Sequence, residues 1–427
     1  MSSSRSPADV IADFLGRSPA TVRLGLSRME AAVEQLGHPE RRFRVLHVAG
    51  TNGKGSTCAF AMAILRAHGL RVGLYTSPHL ISVNERFVVD GQPIDDDALA
   101  AQLKEVRRSI GEGADTLTFY ELGTLVAFSY FAAQKVDVGV IEVGLGGRLD
   151  ATNVVRPHAC AIASIGFDHT EYLGTSLGEI AGEKAGILKA GVPAVVSPQP
   201  EEARRAIAAK AEAVGAKVRF ADAGDFRMTR VGRAWRYESP SLTIPDIQLA
   251  LAGPHQGDNA ALAIAAVEHL VPLEPARVRR GCANAVWPGR MELFLGSPPW
   301  LLDGAHNGAG VAVLCRALRE AYPSRRPQLV FAVLGDKDIQ AMCEQLFPVC
   351  AAVHLPRLNY HREAAPEVTL HNAQRLGVPA FQYASVEAAL KAATAATGPD
   401  GLVLCAGSLV LVGQARAVAL ARQAGRR

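Results

Sequence analysis

The sequence predicts an α/β protein of two domains, the first built on a mostly parallel sheet with a phosphate-binding loop and the second smaller. Three observations carry this reading. Short apolar runs rich in Val, Ile and Ala alternate with segments of helical period along the 427 residues, as expected of strands buried on both faces and joined by helices. The stretch VAGTNGKGST at residues 48–57, preceded by Val45, Leu46 and His47, reads as a strand that ends in a glycine loop and opens a helix. The alternation is interrupted near VWPGRMEL and restarts at about Pro298. These breaks divide the chain into residues 1–290 and 298–427, joined by a linker at 291–297.

In chain order, Ala8 to Leu15 predicts a short helix, and Leu24, Met29, Val33 and Leu36 lie at the spacing of a second, amphipathic one. The glycine loop follows. Gly50, Gly53 and Gly55 let backbone N–H groups approach an anion at a helix N-terminus, Lys54 can pair with terminal phosphate oxygens, and the Ser56 or Thr57 hydroxyl can reach Mg²⁺. The strict phosphate-loop pattern wants a glycine where Val48 stands, so the match is to a shorter variant. A strand from Val72 ends at TSPHL, which places Ser77 where α/β sheets gather ligand groups. Taken alone, Glu85 and Arg86 read as a solvated ion pair.

Helices are expected over Asp95 to Ile110 and Phe119 to Gln134. The run from Val136 reads as a fully buried strand ending on Glu142. A carboxylate there is costly unless a cation pairs with it, and in a nucleotide protein Mg²⁺ is available. The GGRLDATN loop after it brings Arg148 and Asp150. A third strand, Cys160 to Ile165, gives way to Asp168 and His169, and the next helix sets Glu179, Glu183 and Lys184 among small apolar residues. Lys184 is either one end of an ion pair with a neighbouring glutamate or a group that faces substrate. Strand Val192 to Ser197 and helix Glu201 to Ala213 continue the alternation, and residues 226–253 then read as short strands at the domain edge. Asn259 stands just inside the following helix and Arg290 on the hinge. In the second half, Asp303 with His306, Asp336 with Lys337, and Gly407 with Ser408 each follow a strand. Three such ends on one sheet edge suggest a ligand cleft.

Composition excludes several classes. With 45 basic and 41 acidic residues the net charge is +4 and no basic block marks one face, which argues against nucleic-acid binding. Seven cysteines form no C-x-x-C and lie mostly in apolar runs, as reduced core residues of a cytoplasmic protein would. The polar N-terminus lacks an apolar targeting core, and the most lipid-like stretch, Leu402 to Gly413, is too short to span a bilayer. No membrane partner is expected.

AGTNGKGS, SPHL with ER after it, EVGLGGRLDATN, DHTEYLG, EKAGI, PGRME and DGAHN stand in the order and spacing of the folylpolyglutamate synthase and dihydrofolate synthase family, relatives of the Mur ligases, which the chain resembles from about Leu24 to Gly413. The resemblance implies a P-loop ATP-binding domain followed by a Rossmann-like glutamate-ligase domain. By it, Thr51, Asn52, Gly53, Lys54 and Gly55 would hold the ATP phosphates with Ser56 near the metal, and Asn259, Arg290 and Asp303 would complete the nucleotide site. Ser77, Glu142 and His169 would ligate one or two Mg²⁺ ions, joined by an N6-carboxylated Lys184. Thr21, Val22 and Arg23, Phe119, Tyr120 and Glu121, and Leu149, Asp150 and Ala151 match pterin-binding positions, while His306 and Ser408 are similar to positions near the incoming glutamate.

The expected function is an ATP-dependent amide ligase, acting as a monomer, that adds L-glutamate to dihydropteroate or tetrahydrofolate. The γ-phosphoryl group would first activate the carboxylate as an acyl phosphate, with Lys54, Lys184, Asp303 and His306 as the catalytic set. A Mur-type ligase for a UDP-muramoyl peptide, and a P-loop switch that only hydrolyses ATP, are the alternatives. The DGAHN motif favours the ligase.

Overall fold

A computed structural model describes residues 6–17, 23–398 and 400–424. The chain divides into two compact units. The first takes in the chain up to Ile165, Glu171–Ala250 and Gln256–Val286; the second takes Gly166–Thr170, Leu251–His255 and everything from Trp287 onward.

The first unit is organised on a sheet of eight strands: β1 (Arg44–Ala49), β2 (Val72–Tyr75), β3 (Phe87–Val89), β4 (Gln92–Pro93), β5 (Val138–Glu142), β6 (Ala159–Ile162), β7 (Pro193–Val196) and β8 (Lys217–Phe220). Their order is β4-β3-β2-β5-β1-β6-β7-β8, and only the β2/β3 and β3/β4 pairs are antiparallel. The central strands are short, mostly apolar and, but for Arg44 at the start of β1, buried, as parallel strands covered by helices must be. Residues 227–247 form a separate antiparallel sheet of β9 (Arg227–Val231), β10 (Ala234–Glu238) and β11 (Thr243–Ile247).

Helix boundaries fall within one or two residues of those expected for Pro7–Gly16, Asp96–Ile110, Phe119–Ala133 and Glu201–Val214. The helix Ser27–Gln35 buries Met29 and Val33, but Leu24 lies outside it and is 49% exposed. Apolar spacing alone extended that stripe one turn too far. Pro275 opens the helix Pro275–Ala283 at the first-turn position proline tolerates, so prolines between the two halves do not all mark breaks.

The second unit carries β12 (Glu292–Phe294), β13 (Trp300–Leu302), β14 (Gln328–Phe331), β15 (Ala352–Pro356), β16 (Ala380–Tyr383) and β17 (Val403–Ala406) in the order β12-β13-β17-β14-β15-β16, parallel except for β12. Leu402 to Gly413 divides between β17 and the helix Leu409–Ala424. All seven cysteines are free and buried, and no helix among the described residues is long and apolar enough to cross a membrane.

One feature of the first sheet fixes how closely its helices approach. Gly73 of β2 pairs with Gly139 of β5. A Cβ on Gly73 would lie 2.7 Å from the ring of Phe131, and one on Gly139 2.6 Å from that of Phe43. Those two rings meet edge to face at 5.9 Å, so the glycine pair is the floor on which the aromatic contact rests. Gly139→Val should therefore destabilise the protein by about 2 kcal/mol or more despite valine's preference for strands, read as a lower urea midpoint at unchanged slope; an unchanged midpoint would show that the rings move aside freely.

Candidate functional site

The glycine loop leaves β1 at Ala49 and enters the helix Lys54–Ala67, whose N-cap, Gly53, is left-handed at φ 88° and offers no side-chain cap. The first-turn donors are therefore presented to a ligand rather than to a side chain. Gly50, at φ 146°, packs so closely that a Cβ there would meet Ala163 at 2.8 Å. The N–H groups of Thr51 and Asn52 donate to Ser164 O at 2.8 and 3.1 Å, which fixes the entry to the loop. The ammonium of Lys54 folds back to Gly50 O at 3.0 Å and Thr51 O at 3.2 Å.

Ser56 is buried, and Gln256 Nε2 lies 3.4 Å from its hydroxyl. Gln256 Oε1 accepts from Asn259 Nδ2 at 2.9 Å, and the Asn259 side chain abuts Gly53. Asn259 thus lies against the phosphate loop, and Gln256, which the sequence reading did not single out, joins it there. Its signal was present: the two residues stand one helical turn apart at the polar start of Gln256–Val267.

Lys184 reaches the same loop. Buried in the helix Leu177–Ala185, it donates to Gly50 O at 3.0 Å. Both candidate glutamate partners are engaged elsewhere: Glu183 pairs with Arg148 at 2.7 Å, and Glu179 forms a capping box with Ser176. Lys184 therefore faces the phosphate loop.

Glu142 is buried at the end of β5, and its Oε2 accepts from Ser77 N at 3.0 Å. Two oxygen-bearing residues proposed as metal ligands are thus brought together in this unit. Beside them Asp150 is fully committed, accepting from Gly144 N, Leu145 N, Thr152 N and the Thr152 hydroxyl. Burial pushes its carboxyl upward against these hydrogen bonds. Tyr120 OH lies 3.5 Å from both Glu142 O and Asp150 Oδ1, and burial and then the Asp150 charge push its phenol well upward. Leu149 is half-buried and Ala151 buried in this turn.

Thr118 caps the helix Phe119–Ala133 in a capping box with Glu121, whose carboxylate also binds Arg28 at 2.8 Å. Phe119 stacks on Phe14 at 4.5 Å and carries the Arg86 guanidinium 4.9 Å from its ring centroid. Arg86 Nε donates to His79 Nδ1 at 2.9 Å, and Glu85 instead accepts from the N–H groups of Leu80, Ile81 and Ser82. Adjacent sequence positions had suggested an ion pair; the 3₁₀ turn Val83–Arg86 sends the two side chains apart. Burial and the Arg86 charge lower His79 to about 4. Arg23 is exposed and reaches Thr116 O at 3.4 Å, whereas Thr21 and Val22 lie outside the described residues.

In the second unit Asp303 follows β13, its carboxylate accepting from Met291 N and Ala305 N at 2.9 Å each. Arg290 folds over Gly304, where a Cβ would lie 1.9 Å from its NH1. His306 Nδ1 lies 2.8 Å from Gly304 O; because a carbonyl only accepts, that nitrogen carries a proton. Ser408 is buried and accepts from Leu411 N at 3.2 Å. Asp168 is bound by Lys337 at 2.7 Å, Asn307 Nδ2 at 3.1 Å and His306 Nε2 at 3.7 Å. Burial would raise its carboxyl, but His306, His169 and Lys337 outweigh this and hold it well below the usual range. His169 sits beside it with φ 50°. Among the described residues no group of three or more His, Cys, Asp and Glu side chains forms a ready metal cage.

Residues 48–267 match the Mur ligase middle domain, and residues 289–409 the Mur ligase glutamate ligase domain. The sequence is 36% identical over 418 residues to the dihydrofolate synthase/folylpolyglutamate synthase of Bacillus subtilis (strain 168), covering 94% of this chain and 96% of that protein. The chain belongs to this family. Its structure is similar to the Escherichia coli family member FolC in complex with DHPP and ADP, with a TM-score of 0.90 at 32% identity over 98% of this chain and 99% of that one. It is similar also to the bifunctional folylpolyglutamate synthase/dihydrofolate synthase of Yersinia pestis complexed with AMPPNP and Mn, with a TM-score of 0.89 at 32% identity over 97% and 98% of the two chains.

His47 in β1 gives this family member a pH dependence of its own. It is wholly buried with Nε2 2.8 Å from Thr152 Oγ1, and burial followed by the Lys189 charge lowers it to about 3. A folded value below the unfolded one means that the unfolded chain takes up the proton first, so stability present above about pH 6.5 is lost as pH falls towards 3. From about pH 5.5 to about pH 4.5 the native protein should lose about 1.4 kcal/mol more than His47→Gln does, measured by urea unfolding at each pH; parallel losses would refute a buried neutral imidazole.

Proposed function

We propose that the protein is an ATP-dependent amide ligase that joins L-glutamate to dihydropteroate or a reduced folate. The carrying observation is the open glycine loop with Lys54 and Lys184 converging on its Gly50 carbonyl, in a chain whose second half matches the glutamate ligase domain of the Mur ligases. Residues 1–290 serve as the ATP-binding domain, 291–297 as the linker and 298–427 as the glutamate-ligase domain. We read the protein as a cytoplasmic monomer, in keeping with its free, buried cysteines.

Amide formation from a carboxylate in water is uphill, and the carboxylate is a poor electrophile. ATP activates it: the carboxylate oxygen attacks the γ-phosphorus, the bond to the bridging oxygen breaks, and an acyl phosphate and ADP result. The amine of glutamate then attacks the acyl carbon, phosphate leaves and the amine loses a proton, giving the amide. Thr51, Asn52, Gly53, Lys54 and Gly55 receive the phosphates, and Lys54 leaves the Gly50 and Thr51 carbonyls to pair with the charge that develops on them. Asn259 borders the loop, with Arg290 and Asp303 as the remaining nucleotide contacts. Tyr120 and the turn at Leu149–Ala151, with Arg23, Phe119 and Glu121, shape the pterin end. His306 and Ser408 serve the incoming glutamate.

Hard oxygen donors suit Mg²⁺, and Ser56, Ser77 and Glu142 fit that preference; the nitrogen-ligand role of His169 rests on the family resemblance alone. The ion would shield the phosphate charges from the attacking carboxylate. Lys184 supplies a further oxygen donor once carboxylated, a step that consumes its neutral amine and CO₂ and releases a proton. The carbamate nitrogen keeps one hydrogen, so it can still donate to Gly50 O while its oxygens turn to the metal.

The testing experiment is phosphate release with ATP, Mg²⁺ and L-glutamate, comparing dihydropteroate, tetrahydrofolate and a UDP-muramoyl peptide. Release should require glutamate together with one of the two pterin compounds; release from ATP alone would sustain a switch, and release with the peptide a Mur-type ligase. Lys54→Ala should retain less than about a tenth of the activity, a loss of more than ~1.4 kcal/mol of transition-state stabilisation, while apo melting is nearly unchanged. Lys184→Ala should be nearly inactive and regain activity with small added carboxylic acids; an active Lys184→Ala excludes the carbamate.

A further inference from the structure

The segment Gly166–Thr170 belongs to the second unit, and Asp168 is the hub of its polar contacts. One carboxylate oxygen takes the Lys337 ammonium at 2.7 Å, and the other takes the Asn307 amide at 3.1 Å and faces His306 Nε2 at 3.7 Å. These partners come from two loops. His306 and Asn307 follow β13, while Lys337 follows β14, and in the sheet these strands lie on either side of β17, the strand that leads to Ser408. Asp168 therefore ties together the carboxyl ends of β13 and β14, the two parallel strands that flank β17, where open α/β sheets place their ligands.

Each partner is itself constrained. Asn307 caps the helix Gly308–Ala321 through Oδ1, accepting from Gly310 N at 2.8 Å, which sets the amide nitrogen towards Asp168. His306 is held at Nδ1 by Gly304 O, which leaves Nε2 on the Asp168 side. Lys337 is pinned between Asp168 and Asp336, the latter at 3.3 Å and itself held by Arg362 at 2.9 Å. The Lys337 and Asp168 side chains are each 9% exposed. A pair so far from water adds little net stability, because desolvation offsets much of the attraction, so stability is a weak reason for its presence. Geometry is the stronger one.

We propose that Asp168 is a positioning residue for the amino-acid half of the reaction: it fixes the Lys337 ammonium and the His306 imidazole in the arrangement that receives glutamate. This rests on the ligase reading above. Asp168 touches no substrate itself. It acts through Lys337 and His306, and its removal frees Lys337 to collapse onto Asp336.

The test is Asp168→Asn, which keeps size and can still bond Asn307 but loses the charge that holds Lys337. Initial rates are measured at saturating ATP and pterin substrate with glutamate varied, then with ATP varied. The KM for L-glutamate should rise about tenfold or more, with kcat changed less and the KM for ATP within about twofold, the split expected of lost positioning on one substrate only. Lys337→Met and the double variant complete a cycle, in which the double variant should lose clearly less kcat/KM for glutamate than the two single losses combined. A glutamate KM within about twofold of the parent, or losses that simply add, overturns the proposal. Should Asp168→Asn fail to fold, Asp168→Glu carries the same KM readout with the charge retained and displaced. If the parent protein releases phosphate without glutamate, the ligase reading itself has failed, which is a different result.

Discussion

One carbonyl organises the first unit. Gly50 O accepts hydrogen bonds from the ammonium groups of both Lys54 and Lys184, each at 3.0 Å. Two ammonium groups at one loop carbonyl make this end of the loop a favourable place for an anion. The neighbouring geometry follows from keeping that place open. Gly50 and Gly53 take positive φ in the turn, Ser164 O pins the loop entrance by accepting from Thr51 N and Asn52 N, and the helix Lys54–Ala67, with no side-chain cap, leaves its first turn to a ligand. The same constraint explains why Lys184 ignores the two glutamates on its own helix.

The fold was largely legible because its strongest signals are local. A buried parallel strand is a short apolar run, a capped helix announces itself by residues such as Thr118 with Glu121, and the glycine loop has a fixed length. Leu24 failed because periodicity does not say where a helix begins. Pro275 was ambiguous because proline both ends and opens helices. The separate sheet of residues 227–247 was seen as strands, but nothing in the residues said which edge, if any, they would join.

Within the site, strand-end residues were legible and their partners were not. Glu142 and Asp303 stood out because a carboxylate after a buried strand demands a reason. Gln256 and Arg28 did not, since each gains meaning only from a group far along the chain, Ser56 and Glu121, and His79 did not because its partner Arg86 had been paired with its sequence neighbour Glu85. Such pairings are set by topology, which single-residue patterns do not encode. Asp150 shows the converse. The family resemblance gave it a substrate-side position, and in the structure its carboxylate holds the turn through the N–H groups of Gly144, Leu145 and Thr152.

The seven thiols have a practical consequence. Cys58, Cys160 and Cys282 lie in the first unit and Cys315, Cys343, Cys350 and Cys405 in the second, all buried, and burial pushes every one of them upward in pKa. In the native state they are shielded both from solvent and from forming thiolate, the species that reacts with alkylating reagents. Covalent labelling can then proceed only through opening of the surrounding structure. The chain thus carries built-in probes in each half, and peptide mapping of labelled protein would reveal which half loosens first and which one a bound nucleotide closes.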